Sequence, residues 1–150
     1  MIADKLALIE SILREIPQIK KIHQSYVDPF ELGHAYPAIL LIPTDIDVEE
    51  RVSGGQELTF IMHFSLYIFI MNKDKSLMQE LENTENLVIQ KLQDAVMTDC
   101  ELALMSLEYI DYGDPFEPFG LNPTIIPPFA IERQDWIIED IKWVPSGEWY

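Results

Sequence analysis

Cysteine is almost absent: Cys100 stands alone in a chain of 150 residues. No internal disulfide can form, and a four-thiolate metal site is excluded. Cys100 reads as a small buried apolar residue, with a reactive thiol as the alternative. Positive charge is also scarce, with 10 Lys and Arg against 26 Asp and Glu and a net charge of −16. Between Lys91 and Arg133 there is no basic residue, while Asp94, Asp99, Glu101, Glu108, Asp111, Asp114, Glu117 and Glu132 fall in that span. Ordinary attraction to DNA or to anionic lipid is therefore not expected. The charge serves solubility, repels polyanions, or meets a basic partner. No apolar run reaches the roughly 20 residues of a membrane helix. The opening Met-Ile-Ala-Asp-Lys lacks a signal-peptide layout, so the protein is expected to be soluble and made in a cytoplasm.

What is present is one long alternating segment, Leu58 to Met71. Leu58, Phe60, Met62, Phe64, Leu66, Ile68 and Ile70 are all apolar, and Thr59, Ile61, His63, Ser65, Tyr67, Phe69 and Met71 are mixed. Period-two alternation predicts a strand with one buried face, here the even one. It is far longer than the usual strand of about five or six residues, and its semi-apolar second face must also meet something. Ile2, Leu6, Ile9, Leu13 and Ile16 form a helical stripe over 2–15, stopped by Pro17. A short strand is expected within 19–24, and the proline-bracketed run 38–42 reads as a compact buried strand. Asp74 is the expected N-cap of a second helix over 75–97, with Leu77, Leu81, Val88, Leu92 and Val96 inward. Strands follow over 102–111 and 129–143, the last with a bulge near Arg133–Asp135 where its alternation slips. Segments 43–57 and 113–128 read as long loops, the second stiffened by prolines. The order predicts one α+β domain over 1–150. Its architecture would be a two-layer sandwich, a mostly antiparallel sheet of four to five strands with two amphipathic helices on one face.

Catalytic and cofactor signatures are sparse. The 3 histidines, His23, His34 and His63, have no spacing that puts two on one helix face. His63 reads as a partly exposed sheet or interface residue, since no nucleophile accompanies it. Gly54-Gly55 lacks the Lys-Ser/Thr of a phosphate loop and reads as a turn. Asp45, Asp47, Glu49 and Glu50 offer oxygen ligands, but the run lacks the glycine and glutamate positions of an EF-hand loop. Asp111, Asp114 and Glu117 form a second acidic segment. Both read first as solvated loops, and no metal or cofactor is expected. Phe116 and Phe119 either fold back on their own sheet or dock on a neighbouring subunit. These nine residues are the candidate interaction site.

The helix at 2–15, the proline-bounded strand at 38–42, the acidic turn, the long strand 58–71, the Asn-Lys-Asp-Lys turn, helix 75–97 and two late strands make a familiar order. It resembles that of the tail-terminator, or tail-completion, proteins of long-tailed bacteriophages. The resemblance lies in element order, length and acidity, without a diagnostic short motif. It implies a non-enzymatic structural virion protein, assembled in the host cytoplasm and located at the head–tail interface. Such a protein would form a hexameric ring that caps the tail tube protein, stops polymerisation and meets a head-connector or neck protein. DNA would pass through without specific binding, and no membrane would be involved. The alternative is an acidic inhibitor or DNA mimic that occupies a basic partner. A small enzyme whose carboxylates meet only in the fold is the third possibility.

Overall fold

A computed structural model describes residues 2–25, 36–51, 58–71, 77–95, 97, 100–112 and 129–143. The elements are α1 (Ile2–Arg14), β1 (Lys21–His23), β2 (Ala38–Arg51), β3 (Leu58–Met71), α2 (Leu77–Gln93), β4 (Glu101–Tyr112) and β5 (Phe129–Trp143). The chain is α+β, with strands predominating. Its five-stranded sheet has the order β1-β2-β3-β5-β4. β1 runs parallel to β2, and every other pairing is antiparallel.

The helix ends follow local chemistry. Approaching Pro17, the last turn of α1 tightens: Glu15 N–H donates to Ile12 O and Ile16 N–H to Leu13 O, at 3.2 and 3.1 Å. These three-residue spacings satisfy carbonyls that a proline cannot serve. On α2, Leu77, Leu81, Thr84, Val88 and Leu92 are buried. Thr84 sits where the stripe lacks an apolar residue, and its hydroxyl donates to Glu80 O at 2.9 Å. The polar atom is thereby satisfied at low cost. The expected N-cap Asp74 and the stripe residue Val96 lie outside the described residues.

The even positions of β3 behave as their alternation requires. Met62, Phe64, Leu66, Ile68 and Ile70 are fully buried in one cluster with Leu6, Ile9 and Leu13 of α1 and Leu77, Leu81, Val88 and Leu92 of α2. Each such side chain contributes about 1.5–3 kcal/mol on leaving water. Ile39 and Leu41 of β2 and Trp136, Ile138 and Ile141 of β5 complete this helix-side core. Part of the second face is buried as well. Ala38, Leu40, Tyr67, Phe69, Phe129 and Ile131 form a separate apolar cluster at one end of the sheet. Cys100 is buried as expected, its Sγ 3.7 Å from Met97 Sδ.

The structure corrects two sequence expectations. Residues 44–51 are strand, not loop: β2 continues through the acidic run and pairs with β3 from Ala38↔Phe69 to Arg51↔Leu58. In sequence, Ile46 and Val48 alternate with Asp45 and Asp47, a strand period that the charges obscure, and edge strands tolerate charge. The β5 bulge also lies elsewhere. Pairing with β3 is uninterrupted from Phe129 to Ile138 and shifts only between Met62↔Ile138 and Phe60↔Ile141. The extra residue therefore falls at 139–140. The slip at 133–135 has another cause: Glu132 and Gln134 are buried polar residues on the helix side, while Phe129 and Ile131 belong to the other face. Further shifts fall in β2, at Thr44 and Glu49, and in β4, at Met105 and Ile110.

Candidate functional site

The sheet sets the two acidic segments far apart. Asp45 heads the cross-strand row Asp45–His63–Ile137–Ala103. Asp111 ends a different row, Asp111–Ile131–Phe69–Ala38–Lys21. The two lie on strands separated by β3 and β5, and in rows toward opposite strand ends. Asp45 and Asp47 are both exposed. Asp45 Oδ1 accepts the Ile46 N–H at 2.9 Å, and Asp47 Oδ2 lies 3.9 Å from His63 Nε2. Glu50 pairs by backbone with Thr59, and Glu49 is the extra residue of a bulge. Asp114, Phe116, Glu117 and Phe119 lie outside the described residues. Among the described residues, no three His, Cys, Asp or Glu side chains gather as a metal ion would require.

Sequence reasoning missed two polar networks, both built on β5. The first lies on the face away from the helices. Asp135 accepts from Ser65 Oγ of β3 at 2.6 Å and from Ser106 Oγ of β4 at 3.0 Å. Arg133 donates through Nη2 to Glu108 Oε2 at 2.7 Å, and its Nε stands 3.5 Å from Asp135 Oδ2. That last contact is a charge contact without hydrogen-bond alignment, since Arg133 Nε has no hydrogen-bond partner. Burial works against the Arg133 charge, but Asp135, Glu108 and Tyr67 together more than offset it and raise its pKa. The network joins three strands. Neither serine has a histidine between it and the acid, so it lacks the base-mediated activation of a hydrolase triad.

The second network lies under α2. Trp136 Nε1–H donates to Gln134 Oε1, and Gln134 Nε2–H donates to Glu132 Oε2, each at 2.9 Å. Tyr109 O–H of β4 donates to Glu85 Oε1 of α2 at 2.8 Å. Glu132 is fully buried. Desolvation first, then its contact with Glu85, push its pKa up to about 8, against a smaller lowering by Gln134. Tyr109 is pushed up to about 12, chiefly by its hydrogen bond to Glu85. The sequence signal was the polar run Glu132-Arg-Gln-Asp135 inside an apolar strand.

A cleft of about 680 Å³ lies beside α2, lined by Gln18, Lys20, Tyr36, Pro37, Gln79, Glu80, Asn83, Thr84 and Leu87. An active-site reading calls for displaced acids facing such a cleft. Glu132, the displaced carboxyl, is sealed in the core instead and is not part of this lining. Among the described residues, no helix is long and apolar enough to cross a membrane. Compared with known proteins, the chain matches no protein-family model and no curated sequence.

Proposed function

We propose that this chain is a non-enzymatic, ring-forming structural protein of the tail-terminator kind, which caps a phage tail tube and joins it to the head. One observation carries the reading. Among the described residues, the sheet has two long edges without strand partners: β4 on its outer side, and β2 beyond Leu40, where β1 stops. A strand edge is a row of backbone donors and acceptors ready for another chain. Head-to-tail contacts between unlike edges close into a ring when the rotation permits. The bulges on both outer strands favour a specific partner over indiscriminate stacking. Element order, acidity and the exposed Asp45 and Asp47 fit a DNA-traversed ring, whose carboxylates would repel phosphates in transit.

Light scattering across concentration, with negative-stain imaging of the protein mixed with tail tubes, tests this. Closed rings, or density at tube ends, are expected. A strict monomer that never decorates tube ends overturns the proposal. If that monomer instead binds a basic enzyme tightly and stoichiometrically, the acidic-inhibitor reading replaces it.

A further inference from the structure

The Glu85 side chain reaches Glu132, and few donors serve the two carboxylates. Tyr109 O–H serves Glu85 Oε1, and Gln134 Nε2–H serves Glu132 Oε2. Glu132 Oε1 is fully buried and has no donor. An ionised carboxylate can only accept, so two of them cannot satisfy one another. A single proton on Glu132 Oε1 turns the orphan acceptor into a donor aimed at Glu85. The deeper group takes the proton, because Glu132 is sealed while Glu85 is half-buried.

We propose that Glu85 and Glu132 share one proton, held on Glu132 Oε1 and donated to the Glu85 carboxylate, and that this proton fastens α2 and edge strand β4 onto the sheet. The surroundings supply no substitute. α2 brings Glu85 to Glu132, while Glu82 acts on Tyr109. β4 brings Tyr109, which keeps its own proton to about pH 12. Ile68 of β3 lies opposite Glu132 and adds no charge. No lysine or arginine is among the groups acting on Glu132. Removing the proton leaves two negative carboxylates in contact, one of them sealed from solvent, where repulsion is felt more than in water. The device is independent of ring formation.

The sign follows from linkage. The folded chain holds a proton that the unfolded chain has released, because the Glu132 pKa rises from 4.5 to about 8 on folding. The stabilisation is complete below 4.5 and is lost as pH rises through about 8. Thermal melting of the intact protein and of Glu132→Gln across this window is the test. Between about pH 6 and about pH 9 the wild-type melting temperature should fall by about 5–10 °C. The Glu132→Gln curve should lack this fall, because its amide N–H donates to Glu85 at every pH. His23, His63 and Cys100 are common to both proteins and cancel in the comparison. An equal fall in the two proteins overturns the proposal. Should Glu132→Gln not fold, a carbon NMR titration of the Glu132 carboxyl in the wild type decides. A midpoint near 8 supports the shared proton, and one in the ordinary carboxylate range overturns it.

Discussion

Four consecutive residues of β5, Glu132 to Asp135, meet two different solvents. The odd pair, Arg133 and Asp135, is part-exposed: Glu108 takes the Arg133 guanidinium, and two serine hydroxyls serve Asp135. The even pair, Glu132 and Gln134, is fully buried beneath α2; hydrogen bonds run from Trp136 through Gln134 to Glu132 Oε2 and leave Glu132 Oε1 without a donor. Solvent still screens the first face, so each charge contact there counts for little. The second pair is sealed from bulk solvent, so each of its polar atoms depends on its partner. Strand geometry alone makes this division, by sending neighbours to opposite sides.

The largest break in this contrast is expected at Phe64, fully buried on the helix side. Phe64→Asp places a charge there with no network to receive it, which costs several kcal/mol. Soluble expression and circular dichroism should show loss of the folded state; a soluble variant with unchanged melting would refute the facing assigned to β3. Next comes Gln134→Leu, which strands Trp136 Nε1 and Glu132 Oε2 together. Denaturant unfolding should show a loss of about 2–4 kcal/mol. On the open face the changes are milder. Asp135→Asn keeps the shape but weakens the bonds from Ser65 and Ser106, for about 1–2 kcal/mol. Arg133→Met, at a side chain 36% exposed, should cost within about 1 kcal/mol, with added salt narrowing the difference further. If Arg133→Met proved more damaging than Gln134→Leu, the two faces would have been ranked wrongly.

A last and smallest effect concerns the acidic strand segment. Changing Asp45, Asp47, Glu49 and Glu50 to their amides should leave the melting temperature within about 2 °C, since surface changes of this kind are nearly neutral. If this segment lines a ring opening, the same change should ease assembly at low salt and impair DNA passage. Unchanged salt dependence of assembly, with full infectivity, would return these charges to a solubility role.

The legible parts of the fold were those written in one period. The Leu58–Met71 alternation fixed a strand and its buried face, and the Leu6–Ile9–Leu13 spacing fixed a helix and its inward stripe. The acidic run 44–51 reads as loop in sequence because its charges mask the strand period that Ile46 and Val48 carry. The β5 irregularity shows in the sequence, but its cause does not. A buried glutamate and an exposed arginine look alike in sequence, and only the pairing with β3 and the cover of α2 separate them. The Tyr109–Glu85 and Ser65–Asp135 contacts join segments distant in the chain. No local pattern encodes such meetings, which arise from strand order, and strand order was not readable.

That strand order imposes a schedule on the chain's birth. β5, the last described strand, sits between β3 and β4, and among the described residues β4 pairs with β5 alone. While a ribosome is still making the segment after Tyr112, β3 has β2 on one flank and nothing yet on the other. β4 has no mate at all. The most apolar strand of the molecule thus waits with an open flank until Phe129–Trp143 emerges to close both gaps together. Closure joins residues far apart in the chain, which is slow and leaves nascent molecules prone to stick to one another. Cellular yield should accordingly respond to chaperone supply and translation speed more sharply than the stability of the finished protein would suggest.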